Sequence, residues 1–208
     1  MRLIIGITGA TGAPLAVALL RKLATIPDVE THLIISRWGK ATLEHETDLR
    51  FKEVVELADV YHSAGDQGAT ISSGSFVTDG MIIIPCSMKT LAGIRSGYAD
   101  GLIGRAADVV LKEQRKLVLV PRETPLNTIH LENMLALSRM GVSLLPPVPA
   151  WYTHPETIAD VEQHIVGRVL DQFGINTQGA TRWQGMDNAV PGEDVLSYDN
   201  RRELCQKR

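Results

Sequence analysis

The sequence is poor in cysteine and has no long apolar run. Its 208 residues contain only two cysteines, Cys86 and Cys205. Two cysteines are too few for a disulfide framework or a four-ligand zinc site within one chain, so a reducing compartment fits best. No apolar stretch approaches the roughly 20 residues that span a bilayer. We therefore expect a soluble, cytoplasmic protein that does not enter a membrane.

The sequence also lacks an excess of basic charge. The formal net charge is −3, and no block of like charge occurs. Nucleic-acid-binding proteins need a basic surface, so that class is disfavoured. The histidines at 32, 45, 62, 130, 154 and 164 have no metal-ligand spacing, and we predict no metal site. Any phosphate must be bound by local Arg, Lys and backbone N–H groups.

Short apolar runs alternate with helical patterns along the chain. Strands are predicted at residues 3–7, 31–35, 80–84, 116–120 and 142–145. Helices are predicted at 14–25, 40–46, 90–96, 106–113 and 129–140. A last helix is predicted to start near Thr153, where Thr153 and Glu156 have the spacing of a capping box. One face of this helix would carry Ile158, Val161, Ile165 and Val169. Continuous Val, Ile and Leu are typical of parallel strands covered on both faces. We predict an α/β fold, a Rossmann-like doubly wound parallel sheet in three layers, with one domain at 1–173 and a tail at 174–208.

The loop after the first predicted strand, residues 8–14, contains two glycines and small neighbours. Such a loop lets a phosphate approach free N–H groups at a helix start. A tight turn without a ligand is the alternative. A short-chain reductase is disfavoured, because Leu15 stands where that pattern wants glycine and no tyrosine is followed by lysine four residues later.

Two further loops carry polar groups at predicted strand ends, where doubly wound sheets bind ligands. Ser36 follows the second strand, and no acidic residue stands there to bind a ribose hydroxyl, which favours a mononucleotide over NAD as the ligand. Taken alone, Ser36 is equally well explained as a helix N-cap without a ligand. Ser87, Lys89 and Thr90 follow the most apolar strand and suit an anion or flavin ring edges. A serine or cysteine hydrolase is disfavoured, since no histidine is near and no Gly-x-Ser-x-Gly occurs.

The fourth loop, residues 120–126, contains Arg122 and Glu123. An arginine can bind a phosphate with two parallel hydrogen bonds, and a glutamate can transfer protons. A solvated surface ion pair is the alternative. The position of this loop beside the other three favours a functional role.

These four loops, in this order, resemble the UbiX-like flavin prenyltransferase family, flavoproteins related to the homo-oligomeric flavin-containing cysteine decarboxylases. The matching motifs are Gly-Ala-Thr-Gly-Ala, Pro-Cys-Ser-Met-Lys-Thr-Leu-Ala-Gly-Ile and Pro-Arg-Glu-Thr-Pro-Leu, and the match runs from residue 1 to about 173. The resemblance implies a Rossmann-like fold, FMN and assembly as trimers or dodecamers. Most relatives have Ser where this chain has Thr11, which keeps the hydroxyl.

The resemblance also implies roles for individual residues. The implied FMN-binding residues are Gly9, Ala10, Thr11, Gly12, Ser36, Ser87, Met88, Lys89, Thr90 and Arg122. Tyr152 and Arg168 are implied to bind the phosphate of dimethylallyl phosphate, and Lys112 and Glu123 to join the same site. Glu46 is implied to reach the site from a neighbouring subunit, which predicts a trimer, and Trp183 to be an aromatic lid from the tail.

The implied activity is transfer of a dimethylallyl group from dimethylallyl phosphate to N5 and then C6 of reduced FMN, without a metal. The product, prenylated FMN, would serve a UbiD-type decarboxylase. A decarboxylase of the phosphopantothenoylcysteine type is an alternative, but its Pro-x-Met-Asn motif and its histidine after the second strand are missing. A non-catalytic flavin carrier stays open, as does the choice between monophosphate and diphosphate donor.

Overall fold

The computed structural model describes residues 1–177, 182, 183 and 185. The strands are β1 (Arg2–Ile7), β2 (Glu30–Ile35), β3 (Val60–Ser63), β4 (Gly80–Cys86), β5 (Lys116–Pro121) and β6 (Ser143–Leu144). The α-helices are α1 (Ala13–Leu23), α2 (Arg37–Glu46), α3 (Phe51–Val55), α4 (Met88–Ser96), α5 (Leu102–Lys112), α6 (Thr128–Arg139) and α7 (Ile158–Asp171). Short 3₁₀ turns occupy Thr70–Ser72 and Trp151–Thr153.

The strands form one sheet of six in the order β3-β2-β1-β4-β5-β6, and each neighbouring pair is parallel. Ile5 on β1 pairs with Leu33 on one side and with Ile82 on the other. The strand order reverses between β1 and β4, which opens a crevice at their carboxyl ends. The predicted doubly wound parallel sheet is confirmed.

Two apolar layers cover the sheet. On one face, Leu19 and Leu20 of α1 and Val169 of α7 pack in the larger core cluster. On the other face, Leu91 of α4 and Val110 of α5 pack in the second cluster. Every residue of β4 is buried, as expected for a central parallel strand. The sheet is therefore a rigid base for the loops at its carboxyl edge.

The edge strand β3 and the short helix α3 were not predicted. The residues of β3 alternate between half-buried and exposed, because an edge strand has a solvated side, and four such residues give no continuous apolar run. Helix α3 has only five residues, too few for a periodic pattern.

The predicted start of the last helix was wrong. Thr153 lies in a 3₁₀ turn, and α7 begins at Ile158 with Thr157 as its N-cap. The capping box joins Thr157 to Asp160. Pro155 disfavours helical geometry at the residue before it, so the helix starts beyond the proline. Ile158, the first residue of the predicted apolar face, is 79% exposed, so this residue does not pack against the core.

The tail lies mostly outside the described residues. Cys205 and most of the segment 174–208 belong to that part, so the predicted domain boundary at 173 stays a prediction. Among the described helices, none combines the length and the apolar character needed to cross a membrane.

Candidate active site

A cavity of about 400 Å³ lies at the carboxyl ends of β1, β2 and β4, at the point where the strand order reverses. It is lined by Thr8, Gly9, Ser36, Arg37, Trp38, Ala64, Ser87, Lys89, Thr90, Gly93, Tyr98, Asp100, Gly101, Leu102, Ile103 and Gly104. We call it the first cavity. Three of the loops singled out in the sequence thus meet in one place, as their positions at strand ends predict.

Three helices begin at the first cavity, namely α2, α4 and α5. The Ser36 Oγ caps α2 by accepting a 2.9 Å hydrogen bond from the Gly39 N–H, and the Ser87 Oγ caps α4 by accepting one of 3.3 Å from the Thr90 N–H. Helix N-termini carry partial positive charge and unpaired N–H groups, which attract anions. Together with Lys89 they make the first cavity suitable for a phosphate. Ser36 is therefore both a helix cap and a lining residue.

The first loop packs so closely on α2 that side chains are excluded. A Cβ at Gly9 would lie 2.4 Å from the Trp38 Cβ, and one at Gly39 would lie 2.5 Å from the Ile7 carbonyl oxygen. Gly12 has a φ of 110°, a left-handed conformation that favours glycine. The glycines of this loop thus keep its backbone close to the start of α2 and open to a ligand.

Glu46, the last residue of α2, caps the N-terminus of α1. Its Oε2 accepts hydrogen bonds of 2.8 Å from the Gly12 N–H and 2.9 Å from the Ala13 N–H. Burial acts to raise the pKa of Glu46, but hydrogen bonds from the Thr11 side chain and from these two N–H groups outweigh it and hold the pKa below its usual value. Gly12 has no side chain of its own, so Glu46 supplies the cap.

Glu46 is expected to reach the site from a neighbouring subunit, and this stays a prediction. It contacts the glycine-rich loop of its own chain. Glu46 lines neither cavity of the described chain, so the trimer expected from it stays a prediction as well. A catalytic role for Glu46 stays a prediction.

Hydrogen bonds join the third loop to the first loop on one side and to the fourth loop on the other. The Thr8 Oγ1 accepts a 2.8 Å hydrogen bond from the Ser87 N–H and donates one of 2.7 Å to the Pro85 carbonyl. The Arg122 N–H donates a 3.3 Å bond to the Cys86 carbonyl, so Arg122 follows directly beside the third loop. The side chains of Arg122 and Glu123 are exposed to solvent. They border the loops of the first cavity without lining it.

Two residues of the third loop face the core. Cys86 is fully buried, and burial raises the pKa of its thiol to about 12. A thiolate nucleophile at this position is therefore disfavoured. The Met88 side chain is also buried in the second core cluster, so Met88 offers a ligand its backbone rather than its side chain.

A second cavity of about 420 Å³ contains three of the predicted residues. It is lined by Tyr152, His164, Gly167, Arg168, Asp171, Arg182 and Trp183. The rings of Tyr152 and Trp183 meet edge to face, with centroids 5.3 Å apart. The fold thus brings together Tyr152, Arg168 and Trp183, three of the residues that the family resemblance singles out; their roles stay predictions. Within the described part of the chain, the lining of this second cavity has no residue in common with that of the first.

Lys112 lies away from both cavities in its own chain. It ends α5, whose first residues line the first cavity, and it pairs with Glu113 beside Gly74. A helix rises about 1.5 Å per residue, so the length of α5 separates Lys112 from that cavity by roughly 16 Å. One chain alone therefore does not place Lys112 beside Glu123. A role for Lys112 stays a prediction that needs a neighbouring subunit.

Sequence reasoning missed the segment between α4 and α5. Tyr98, Asp100 and Gly101 line the first cavity. The signal was a cluster of glycines between two predicted helices. Gly101 has a φ of 91°, and a Cβ at Gly104 would lie 3.1 Å from the Ala99 Cα.

The described residues contain no group of three or more His, Cys, Asp or Glu placed to hold a metal ion. The polar lining of the first cavity includes Lys89, hydroxyl groups and helix N-termini, and that of the second includes Arg168, Arg182 and the Tyr152 hydroxyl. The metal independence of the reaction stays a prediction.

Comparison with known proteins places this arrangement in a family. Residues 1–170 match the flavoprotein family. A probable UbiX-like flavin prenyltransferase from Escherichia coli O157:H7 is 68% identical over 189 residues, covering 91% of this chain and 96% of that protein.

Two solved structures share the fold closely. One, described as a dodecameric FMN-dependent UbiX-like decarboxylase from Escherichia coli O157:H7, has a TM-score of 0.88 and 69% identity over 89% of this chain and 100% of that chain. The other, AnUbiX (PadA1) in complex with FMN and dimethylallyl pyrophosphate, has a TM-score of 0.87 and 52% identity over 88% of this chain and 97% of that chain. With a family match over residues 1–170, more than half of the residues identical over about nine tenths of the chain and TM-scores near 0.9, this protein belongs to the UbiX-like flavin prenyltransferases within the flavoprotein family.

Proposed function

We propose that this protein transfers a dimethylallyl group from dimethylallyl phosphate to N5 and C6 of reduced FMN. The observation that carries the proposal is the pair of cavities, one suited to the phosphate of a mononucleotide and one with Arg168 and Tyr152 beside Trp183. The carbon–oxygen bond of the donor would break as the N5–carbon bond forms, and inorganic phosphate would leave. The proton displaced from N5 would pass to the departed phosphate or to a base. Closure onto C6 would then need a proton added to the double bond of the attached allyl group, attack of C6 on the tertiary carbocation so formed, and loss of the C6 proton.

The first cavity fits the phosphate of FMN. The N-termini of α2, α4 and α5 converge there, and Ser36, Ser87 and Lys89 add hydroxyls and a positive charge. These groups are the usual ligands of a phosphomonoester. Their task is to hold and orient the flavin, with the bare backbone at Gly9 allowing close approach.

The second cavity fits the allylic phosphate. Arg168 and Tyr152 offer charged and neutral donors that would stabilise the departing phosphate. Arg122 lines neither cavity of the described chain, so it would add a second guanidinium only where subunits meet. This set supplies the charge that a metal ion would otherwise provide, which supports a metal-independent reaction. The face of Trp183 would stabilise positive charge developing on the allyl group.

We propose that the complete site forms where subunits meet. The two cavities are lined by separate residues of the described chain, and Lys112 lies at the far end of α5. A solved relative is described as dodecameric. Size-exclusion chromatography with light scattering should give a trimer or a dodecamer, and a stable active monomer would contradict this.

Glu123 separates an enzyme from a flavin carrier. We propose that Glu123, or the departed phosphate, moves the protons during ring closure. Glu123→Gln should then lower the turnover rate about 10²-fold or more while the Kd for FMN stays unchanged. The matched control is Glu44→Gln, on an exposed residue of α2, which should keep both values. A carrier would bind FMN equally in all three proteins and show no turnover in any.

A second candidate is an FMN-dependent decarboxylase, because one solved relative is described in those words. We propose instead that prenylated FMN is handed to a UbiD-type decarboxylase in the cytoplasm, where a reducing environment suits the few cysteines of this chain. Carbon dioxide should form only when the flavin product and an apo-decarboxylase of that type are combined. Decarboxylation by this protein alone would favour the second candidate.

A further inference from the structure

One carboxylate in the second cavity holds two guanidinium groups. Asp171 accepts a 2.7 Å hydrogen bond from Arg168, and from Arg182 it accepts one of 2.7 Å at Oδ1 and one of 3.3 Å at Oδ2. The Asp171 side chain is 16% exposed, whereas those of Arg168 and Arg182 are 54% and 45% exposed. We call these three residues the arginine latch. The Arg182 hydrogen bond, against the effect of burial, lowers the pKa of Asp171.

The arginine latch joins the phosphate-binding residue to the aromatic residue beside it. Arg182 is followed directly by Trp183, whose ring packs on that of Tyr152. Arg182 also donates a 3.2 Å hydrogen bond to the Asn176 side chain. Asp171 therefore fixes the chain one residue before Trp183 and, through its other contact, the direction of Arg168.

We propose that Asp171 is a positioning residue that couples closure of the Arg182–Trp183 segment to binding of the allylic phosphate. This rests on the proposed function. Two cations that share one carboxylate repel each other, and the repulsion weakens the latch while the cavity is empty. A phosphate at Arg168 adds negative charge beside both guanidiniums and offsets that repulsion. The Arg182–Trp183 segment is then held more firmly when the donor is bound than when it is not.

Two substitutions cut the arginine latch in different places. Arg182→Gln removes the ion pair with Asp171 that fixes the chain next to Trp183, and it leaves the Arg168–Asp171 pair intact. It should raise the KM and Kd for dimethylallyl phosphate about fivefold, as expected for a partly exposed ion pair. Asp171→Asn also frees Arg168 and should raise both constants about tenfold or more. The rate at saturation should fall as well, because both substitutions release a group, Trp183 or Arg168, that would stabilise charge in the transition state.

The control is Asp108→Asn on α5, which cuts another Arg–Asp pair of the same spacing and the same 2.7 Å length. It should change neither constant. Addition of dimethylallyl phosphate to FMN-loaded protein should change the fluorescence of Trp183, isolated as the difference between the wild type and Trp183→Phe. The change should be lost in Arg182→Gln, while the Kd for FMN and the melting temperature remain those of the wild type. If Arg182 had only a structural role, Arg182→Gln would change the Kd for FMN and the melting temperature as well as the KM.

The outcomes separate this proposal from the proposed function. If the wild type makes no prenylated flavin but binds dimethylallyl phosphate more tightly than both variants, the activity is wrong and the latch stands. If the wild type is active and both variants bind and use the donor as it does, the latch is overturned. Should Asp171→Asn fail to fold, Arg182→Gln alone decides between these results.

Discussion

Removing the carboxylate of Glu46 should destabilise the protein through one helix end. Its Oε2 accepts hydrogen bonds from the Gly12 and Ala13 N–H groups. Loss of a side-chain cap costs about 0.5–2 kcal/mol, and loss of a charge-assisted hydrogen bond costs about 1.5–3 kcal/mol. Glu46→Ala should therefore lower the free energy of unfolding by about 2 kcal/mol. Glu46→Gln keeps an acceptor but loses the attraction of a charge to the helix N-terminus, about 1 kcal/mol.

The effect should depend on pH in one direction. The folded-state pKa of Glu46 is held below the usual value of 4.5, so its carboxylate stabilises the fold fully above about pH 4.5. This contribution is lost as the pH falls through the folded value, because the unfolded chain binds the proton first. The stability difference between the wild type and Glu46→Gln should therefore be constant near neutrality and shrink below that pH.

Scanning calorimetry from pH 3.5 to pH 7 measures both effects. For a chain of this size, 1 kcal/mol shifts the melting temperature by about 2–4 °C, so Glu46→Ala should melt about 4–8 °C lower at pH 7. Glu44→Gln is the matched control, since it keeps the acceptor for its single 3.3 Å bond from the Phe51 N–H. A loss in Glu46→Gln equal to that of the control, or one independent of pH, would refute the reasoning.

Two further predictions concern the first cavity and the buried thiol of Cys86. Gly9→Ala would place its Cβ 2.4 Å from the Trp38 Cβ, so fluorescence titration should show FMN bound about tenfold more weakly. Gly65→Ala meets nothing within 4 Å and should bind FMN normally, and equal affinity in both variants would contradict the packing argument. Cys86, with its thiol pKa raised to about 12, should resist a disulfide reagent at pH 8 in a Cys205→Ser background until denaturant is added. Rapid labelling of the folded protein would contradict this burial.

The sheet was predictable because its signals are local. Apolar runs separated by helical patterns gave β1, β2, β4 and β5 and the parallel arrangement, which the structure confirms. Strand β3 has only four residues and one solvated side, so its partner strand decides its conformation more than its own sequence does. The start of α7 was missed because Thr153 and Thr157 are each followed by a carboxylate three residues later, Glu156 and Asp160, so either could form a capping box. Pro155 disfavours a helix at the residue before it, so the helix begins after Thr157.

The first cavity was partly predictable because it is built at strand ends, where the loop motifs stand. Ser36, Ser87 and Lys89 line it as expected. Contacts between residues far apart in the chain could not be predicted from local sequence motifs. Nothing in the neighbourhood of Glu46 in the sequence indicates that the end of α2 returns to Gly12, and nothing near Lys112 shows that it lies at the opposite end of α5.

The most direct test of the central claim is the mass of the flavin after reaction. The purified protein is mixed anaerobically with FMN, dithionite and dimethylallyl phosphate, and the flavin is released by denaturation and weighed by mass spectrometry. The expected product is a flavin heavier by one C5 prenyl unit, formed over many turnovers and absent without protein. Unmodified FMN released from protein that had bound it, with the diphosphate donor as well as the monophosphate, would contradict the account.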